Sequence, residues 1–380
     1  MSTYREVDEA GAHTTRRDAR ASQPEEGSTA ISVPDSFAAK PGVGLADGVL
    51  IGKLLGQGLQ GAVFELTDSQ GLQIGWVLKT VTAGPAAAFN FLFPGIQREW
   101  LIGRELCLTL NEGPLLGFMR TGASIKSQKS GKIRGIVIEQ MSGNTLDKHL
   151  LQARQGCLDA KYIRSMLQQV FMALDGAQKA AGFVHWDLRL ANVMQHNPGA
   201  CSKAAAPPTI GAQEATEAAV QQSDGPTFKM IDFGHGNLYD RHLKAIGVSV
   251  DRDKRVRLPR VPATEVGYRL FWHREGDVFR LLMSLQNVID GCCWPRAQAP
   301  LVRQLAGLIR HVTGIQLKIW LQEGDQVLCD SRGMPWHRQG GCCNILRRCY
   351  IRTRSFWFPS TPRITAAEAL SHPLFTEPAC

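Results

Sequence analysis

Several things are scarce in this 380-residue chain. Cysteine is one: ten residues without regular spacing are too few for a disulfide scaffold. Reduced thiols are therefore the expectation. The group Cys342, Cys343 and Cys349 near His337 lacks the paired C-x-x-C knuckles of a zinc site. Long apolar runs are also missing. No stretch approaches the roughly 18–20 uninterrupted apolar residues that would span a bilayer, and the start, MSTYREVDEAGAHTTRRDAR, has no apolar h-region. Asp8, Glu9, Glu25 and Glu26 are at odds with an acid-poor transit peptide. The expectation is a cytoplasmic or nuclear protein with no membrane span. Charge is sparse too, at 20%, but 44% of residues are hydrophobic, so the chain is no disordered tail and holds enough apolar material for an ordinary core. Acidic residues are outnumbered 34 to 43, leaving a net charge of +9. That excess could serve nucleic acid, acidic lipid or acidic peptide, and only its location decides among them.

Residues 1–45 are rich in Ser, Thr, Ala, Gly and charge without an apolar period, and read as a flexible extension. Next come strand-like runs, Val49 to Leu55 and Ala62 to Leu66, joined across a glycine cluster as a hairpin, and another from Ile74 to Thr80. A helix is predicted from Ile96 to Leu110, with Gly103 as its weak point, followed by strands at Gly117 to Ser124 and Arg134 to Gln140. Helical periodicity then takes over: Ile163, Met166, Leu167, Val170, Phe171 and Leu174 form one stripe, and Val278, Leu281, Leu282, Leu285 and Val288 another. Leu301 to Val312 is a further helix candidate. Residues 196–226, rich in Ala, Pro and Gln, read as a disordered insertion, and the span from about Ala297 to Phe358 otherwise has no clear period. Strands first and helices afterwards make an α+β layout with two lobes.

Three motifs carry chemistry. Gly56-Gln57-Gly58-Leu59-Gln60-Gly61-Ala62-Val63 lies in a hairpin, where glycine lets backbone N–H groups approach phosphate oxygens. Trp76-Val77-Leu78-Lys79 ends an apolar strand on a cation that, if buried, needs an anionic partner, and the following helix offers Glu99 and Glu105. Finally, Val184-His185-Trp186-Asp187-Leu188-Arg189-Leu190-Ala191-Asn192 is followed by Met230-Ile231-Asp232-Phe233-Gly234. Two carboxylates and an amide in this order suit a hydroxyl acceptor and a hard divalent cation.

Together these motifs resemble the protein-kinase superfamily, whose signature set is a familiar reference case. The resemblance covers roughly residues 46–376 and implies a bilobal fold, a β-rich N-lobe at 46–141 and a mostly helical C-lobe at 142–376. It implies ATP and Mg²⁺ as cofactors and phosphoryl transfer to protein hydroxyls. By resemblance, Gly56, Gly58 and Gly61 cover the phosphates, Gln57 and Val63 belong to the same nucleotide-binding hairpin, Val77 stands where a residue faces adenine, and Glu139 and Met141 form the hinge after a gatekeeper at Ile138. Lys79 would hold the α- and β-phosphates and pair with Glu99, chosen over Glu105 by its separation along the chain. Asp187 would act on the acceptor hydroxyl with Arg189 and Asn192 beside it, while Asn192 and Asp232 bind Mg²⁺. Glu265, in the place of the A-P-E glutamate, would pair with Arg363, and Asp277 would brace the catalytic loop. Thr365 and Glu368 form a capping box in a final helix typical of Ser/Thr kinases, which favours Ser/Thr over Tyr acceptors.

Departures from the pattern point to specific consequences. Trp186 replaces the usual Arg before the catalytic Asp, so a phosphorylated activation segment would not be sensed through that contact. Arg189 replaces Lys, Val77 replaces a smaller Ala, and Thr264 replaces Pro. The segment 238–261 carries seven basic and three acidic residues, which gives part of the positive charge an address beside the implied substrate groove. An acidic protein substrate is therefore a better expectation than nucleic acid. Two other readings are a pseudokinase scaffold and a small-molecule kinase of the aminoglycoside phosphotransferase type. Retention of Lys79, Asp187, Asn192 and Asp232 tells against the first, and the Glu265, Asp277 and Arg363 features against the second.

Overall fold

The computed structural model describes residues 30–58, 61–81, 96–110, 112–154, 156–197, 225–238, 275–323, 326–327 and 364–377. Five strands precede the first helix: β1 (Ala30–Val33), β2 (Gly44–Ala46), β3 (Val49–Gln57), β4 (Gly61–Asp68) and β5 (Gln73–Val81). With β6 (Thr121–Ser127) and β7 (Ile133–Glu139) they form one sheet in the order β1-β6-β7-β5-β4-β3-β2. The flexible arm expected up to residue 45 is corrected over 30–45. Ile31 and Val33 alternate along β1, which pairs in parallel with β6 from Ala30↔Ser124 to Val33↔Ser127, and Val33 and Leu45 are buried with Ile51 and Leu66. The Ser127 hydroxyl binds the Asp35 carboxylate beyond the strand end. An edge strand with unpaired amides is a liability, and β1 covers it. Residues 1–29 lie outside the described part.

Helix α1 (Ile96–Thr109) packs across this sheet, and the short α2 (Glu112–Leu115) follows. The strand expected at 117–124 begins later. Phe118 instead makes a parallel bridge to Met230 and is fully buried, because its ring is drawn under the sheet. There it meets Phe183 edge-on at 5.5 Å and Phe233 at 6.0 Å, while Phe183 and Phe233 stand at 6.2 Å and 89°. Fully burying a phenylalanine is worth about 1.5–3 kcal/mol, and edge-to-face contact adds about 0.5–1.5 kcal/mol. This aromatic knot joins the two lobes.

The C-lobe is built on α3 (Leu146–Ala153), α4 (Ala160–Ala181), α5 (Glu275–Ile289) and α6 (Ala299–Thr313). Asp159 caps α4 by accepting from Lys161 N at 2.8 Å, and Gly182, at φ 59°, ends it. The predicted stripe from Ile163 to Leu174 is wholly buried. Between α4 and α5, β8 (Val193–His196) and β9 (Thr227–Met230) form a hairpin that flanks the expected insertion, whose residues 198–224 are outside the described part. After α5 come β10 (Cys292–Pro295), β11 (Ile319–Glu323) and β12 (Gln326–Val327), a small sheet whose last two strands fall in the span without a legible period. The chain ends on α7 (Ala366–Leu370) and α8 (Pro373–Thr376). Thr365 Oγ1 accepts from Glu368 N at 3.2 Å and Glu368 Oε2 from Thr365 N at 2.7 Å, a complete capping box. Among the described residues no helix is long and apolar enough to cross a membrane.

Candidate active site

The cleft residues are placed by the two faces of β5. Trp76 and Leu78 turn into the core of the sheet, whereas Val77 joins the opposite cluster with Ile102 and Leu106 of α1. The two-residue period puts Lys79 on the Val77 face, toward α1. Lys79 Nζ donates to Glu99 Oε2 at 2.7 Å and Oε1 at 2.9 Å, and lies 3.5 Å from Asp232 Oδ1. Glu105 is elsewhere, accepting from the Thr109 hydroxyl at 3.1 Å. Burial alone would lower the Lys79 pKa, but the carboxylates of Glu99 and Asp232 outweigh it and hold the ammonium well above its ordinary value. Burial likewise favours the neutral acid at Asp232, and Lys79 reverses this, keeping the carboxylate ionised below its usual range. Removing one member of such a buried pair costs about 3–5 kcal/mol, because the other charge is stranded.

Arg98, next to Glu99, ties the same helix to the segment after Phe233. Its Nε donates to the Gly236 carbonyl at 2.8 Å. Asn237 and Val184 then exchange backbone bonds of 2.9 and 2.8 Å, so α1 and the entry to the loop at 185–192 share one anchor. Sequence reasoning passed over Arg98; a long cation beside the pairing glutamate was the available signal.

The loop is held from below. Asp277, fully buried at the start of α5, accepts from His185 N and Trp186 N at 2.8 Å each. His185 Nε2 lies 2.9 Å from the Ile231 carbonyl, which can only accept, so the ring carries its proton there. Trp186 at φ 71° and Asp232 at φ 61° are the described non-glycine residues in the left-handed region. That conformation costs about 1–2 kcal/mol per residue and persists where surrounding bonds impose it. Trp186 is also buried, so the side chain replacing arginine is packed inside. Asn192 Nδ2 donates to Asp187 Oδ2 at 3.0 Å and to the Asp187 carbonyl at 2.8 Å, and Arg189 Nε is 3.2 Å from the same Oδ2. The bond from Ile231 N to Asn192 O, 3.0 Å, sets Asn192 beside the segment that leads from β9 to Asp232.

At the hinge, the Glu139 carboxylate is committed inward. Lys229 Nζ donates to both its oxygens at 2.7 Å, and Arg120 N donates to Oε2 at 3.0 Å. His196 Nε2 stands 3.8 Å from Oε1. Burial would raise the Glu139 pKa, but Lys229 and Arg120 more than compensate and lower it. The Glu139 side chain is thus taken up by protein partners, and its N–H donates to the Arg120 carbonyl at 2.9 Å. Lys229 was another missed residue, although a lone cation in the apolar strand Phe228-Lys229-Met230 was legible.

The glycines of the loop are not equivalent. A Cβ on Gly61 would stand 1.6 Å from the Thr80 carbonyl oxygen, so this position is glycine because two strands touch. Gly56 and Gly58 face open space, and Gly58 N donates to Gly61 O at 2.8 Å across the turn. Gln57 pairs with Ala62 and Val63 with Lys79, placing Val63 opposite the lysine. Val77 is opposite Ile138, and Met141 is partly buried against the same core. For a metal, Asp232 and Asn192 supply one carboxylate and one amide oxygen. No cluster of three or more His, Cys, Asp or Glu side chains among the described residues could hold an ion alone. Mg²⁺ fits such a pair because it commonly takes one or two protein oxygens and completes its shell from phosphates and water. Glu265, Arg363, the basic segment 239–261 and the Cys342 group lie outside the described residues.

No protein-family model and no curated protein matches the chain. Among solved structures it is similar to variants of the kinase domain of PknI from Mycobacterium tuberculosis. One shares 17% identity at a TM-score of 0.43, over 72% of this chain and 90% of that one. Another shares 16% at 0.41, over 73% and 90% respectively. By its own architecture, a seven-stranded N-lobe with α1 clamped over a helical C-lobe and the Lys79–Glu99 pair at their junction, the chain has a bilobal, protein-kinase-like fold.

Proposed function

We propose that the protein is an ATP-dependent kinase that transfers the γ-phosphate to Ser or Thr hydroxyls of protein substrates. The observation that supports this best is the convergence of Lys79 with Glu99 and Asp232 within 3.5 Å, tied to the Asp187–Asn192 pair through the Ile231 N to Asn192 O bond. Phosphoryl transfer needs little covalent chemistry from a protein, and its barrier is lowered by positioning and charge. In this reading, Lys79, held charged and oriented by Glu99, binds phosphate oxygens, and Gly56 and Gly58, with no Cβ to block a close approach, cover them. Asn192 and Asp232 would hold Mg²⁺, which when bound supplies neutralisation of phosphate charge. Asp187, oriented by Asn192 and Arg189, accepts the proton of the acceptor hydroxyl. The cationic segment at 238–261 would favour acidic sequence around that hydroxyl.

The test is transfer from γ-labelled ATP with Mg²⁺ to the protein itself and to a panel of acidic and basic protein substrates. Label on wild type and none on Asp187→Ala supports the reading. Equal background in both, together with nucleotide-dependent thermal stabilisation, would replace it with a nucleotide-binding scaffold.

A further inference from the structure

Two cysteines distant in sequence stand side by side. Cys157, between α3 and α4, makes an isolated parallel bridge with Cys293 of β10, and Leu158 N donates to the Cys293 carbonyl at 3.0 Å. Bridged residues on neighbouring extended segments lie about 4.8 Å apart and point to one side. That separation is inside the roughly 4.4–6.8 Å between Cα atoms that a disulfide spans. Gln322 of β11 marks where the thiols meet. Cys157 Sγ donates to its Oε1 at 2.9 Å, and Cys293 Sγ is 3.5 Å from the same oxygen. Cys292, one residue earlier, turns to the opposite face and donates to the Val288 carbonyl at 3.3 Å. Register therefore selects Cys293 as the partner.

We propose that Cys157 and Cys293 are a dithiol modification site that hydrogen peroxide converts into an intramolecular disulfide joining the α3–α4 connection to β10. Cys157 is half-buried and Cys293 only 6% exposed, so the first reaction falls to Cys157. Burial pushes the Cys293 thiol up to about 11, which holds it protonated and slow to react with peroxide itself. The Cys157 sulfur attacks one peroxide oxygen; the S–O bond forms, the O–O bond breaks, and the departing hydroxide takes the thiol proton as water. The Cys293 sulfur then attacks the Cys157 sulfenic acid; the S–S bond forms, the S–O bond breaks, and hydroxide leaves with the Cys293 proton as a second water. Two thiols are oxidised and one peroxide is reduced.

The experiment treats the full-length protein with hydrogen peroxide, alkylates it after unfolding and maps the cross-linked peptides by mass spectrometry. Wild type and Cys292→Ser should yield a Cys157–Cys293 linked peptide that dithiothreitol removes, and Cys293→Ser should not. Because a cross-link over so long a loop restrains the unfolded chain, oxidised wild type should melt at least about 5 °C above the reduced form, with no such rise for Cys293→Ser. Recovery of Cys157 as a sulfinic acid with Cys293 alkylated, or a link from either residue to another cysteine, would overturn the proposal. Peptide mapping on wild type alone decides it if a serine variant does not fold, and none of these readings depends on kinase activity.

Discussion

Replacing Gly103 by alanine sets two forces against each other. Gly103 lies one turn after Glu99, on the same face of α1. Helix propensity alone favours alanine over glycine by about 1 kcal/mol. Against this, a Cβ here would sit 2.0 Å from Thr121 Oγ1 and 2.9 Å from Thr121 Cβ, with Phe233 Cδ2 at 3.3 Å. The hydroxyl can rotate aside, but the Cβ moves only with the backbone of β6. Overpacking costs about 1–3 kcal/mol, and contact on both sides argues for the upper part of that range. The net expectation is a loss of about 1–2 kcal/mol, read as a lower urea midpoint at constant m. The strain is relieved most easily by α1 moving outward, which carries Glu99 away from its 2.7 Å contact with Lys79, so phosphotransfer should fall by more than the stability change implies. Thr121→Ala added to Gly103→Ala removes the tightest contact and should restore part of both. A single Gly103→Ala variant with a raised midpoint and unchanged transfer would refute the reasoning.

Asp277→Ala strands the buried N–H groups of His185 and Trp186 at about 1–3 kcal/mol each, so a loss of about 2–6 kcal/mol is expected, and Asp277→Asn should lose less; denaturant titration of both checks this. Burial, reinforced by the Lys229 charge, holds the His196 pKa below 6.5, so the unfolded chain takes up the proton first. Stability from this group is thus complete above about pH 6.5 and declines as pH falls below it, and His196→Asn should flatten the slope of unfolding free energy between about pH 6.5 and 5. An unchanged slope would remove His196 from the account. Thr365→Ala deletes the capping box of α7 and should cost about 1 kcal/mol, with a melting temperature lower by a few degrees.

Hydrophobic period and local chemistry made much of the molecule legible in advance. The stripes of α4 and α5, the hairpin of β3 and β4, the capping box at Thr365 and the order of the Lys79, Asp187, Asn192 and Asp232 motifs are all short-range patterns, and a helix or strand buries one face whatever its partner. The choice of Glu99 over Glu105 rests on its separation from Lys79 along the chain, and the placement of Lys79 on the α1 side of β5 gives that choice its geometric cause.

Other features depend on residues that meet only after the chain has folded. β1 was unreadable as a strand because its pairing edge on β6 lies nearly a hundred residues away. Helix propensity marks Gly103 as a weak point, since it sees only the helix and not Thr121 across from it. The buried Glu139–Lys229 pair, the Arg98 anchor and the Cys157–Cys293 contact share that origin. By itself the sequence determined the helices α1 and α4 to α6, the strands β3 to β5 and β7, and which residues could do chemistry, since those depend on neighbours a few positions away. Tertiary structure alone decided which charges are paired, which glycine is obligatory and which thiols touch, because burial and distance are properties of the packed chain.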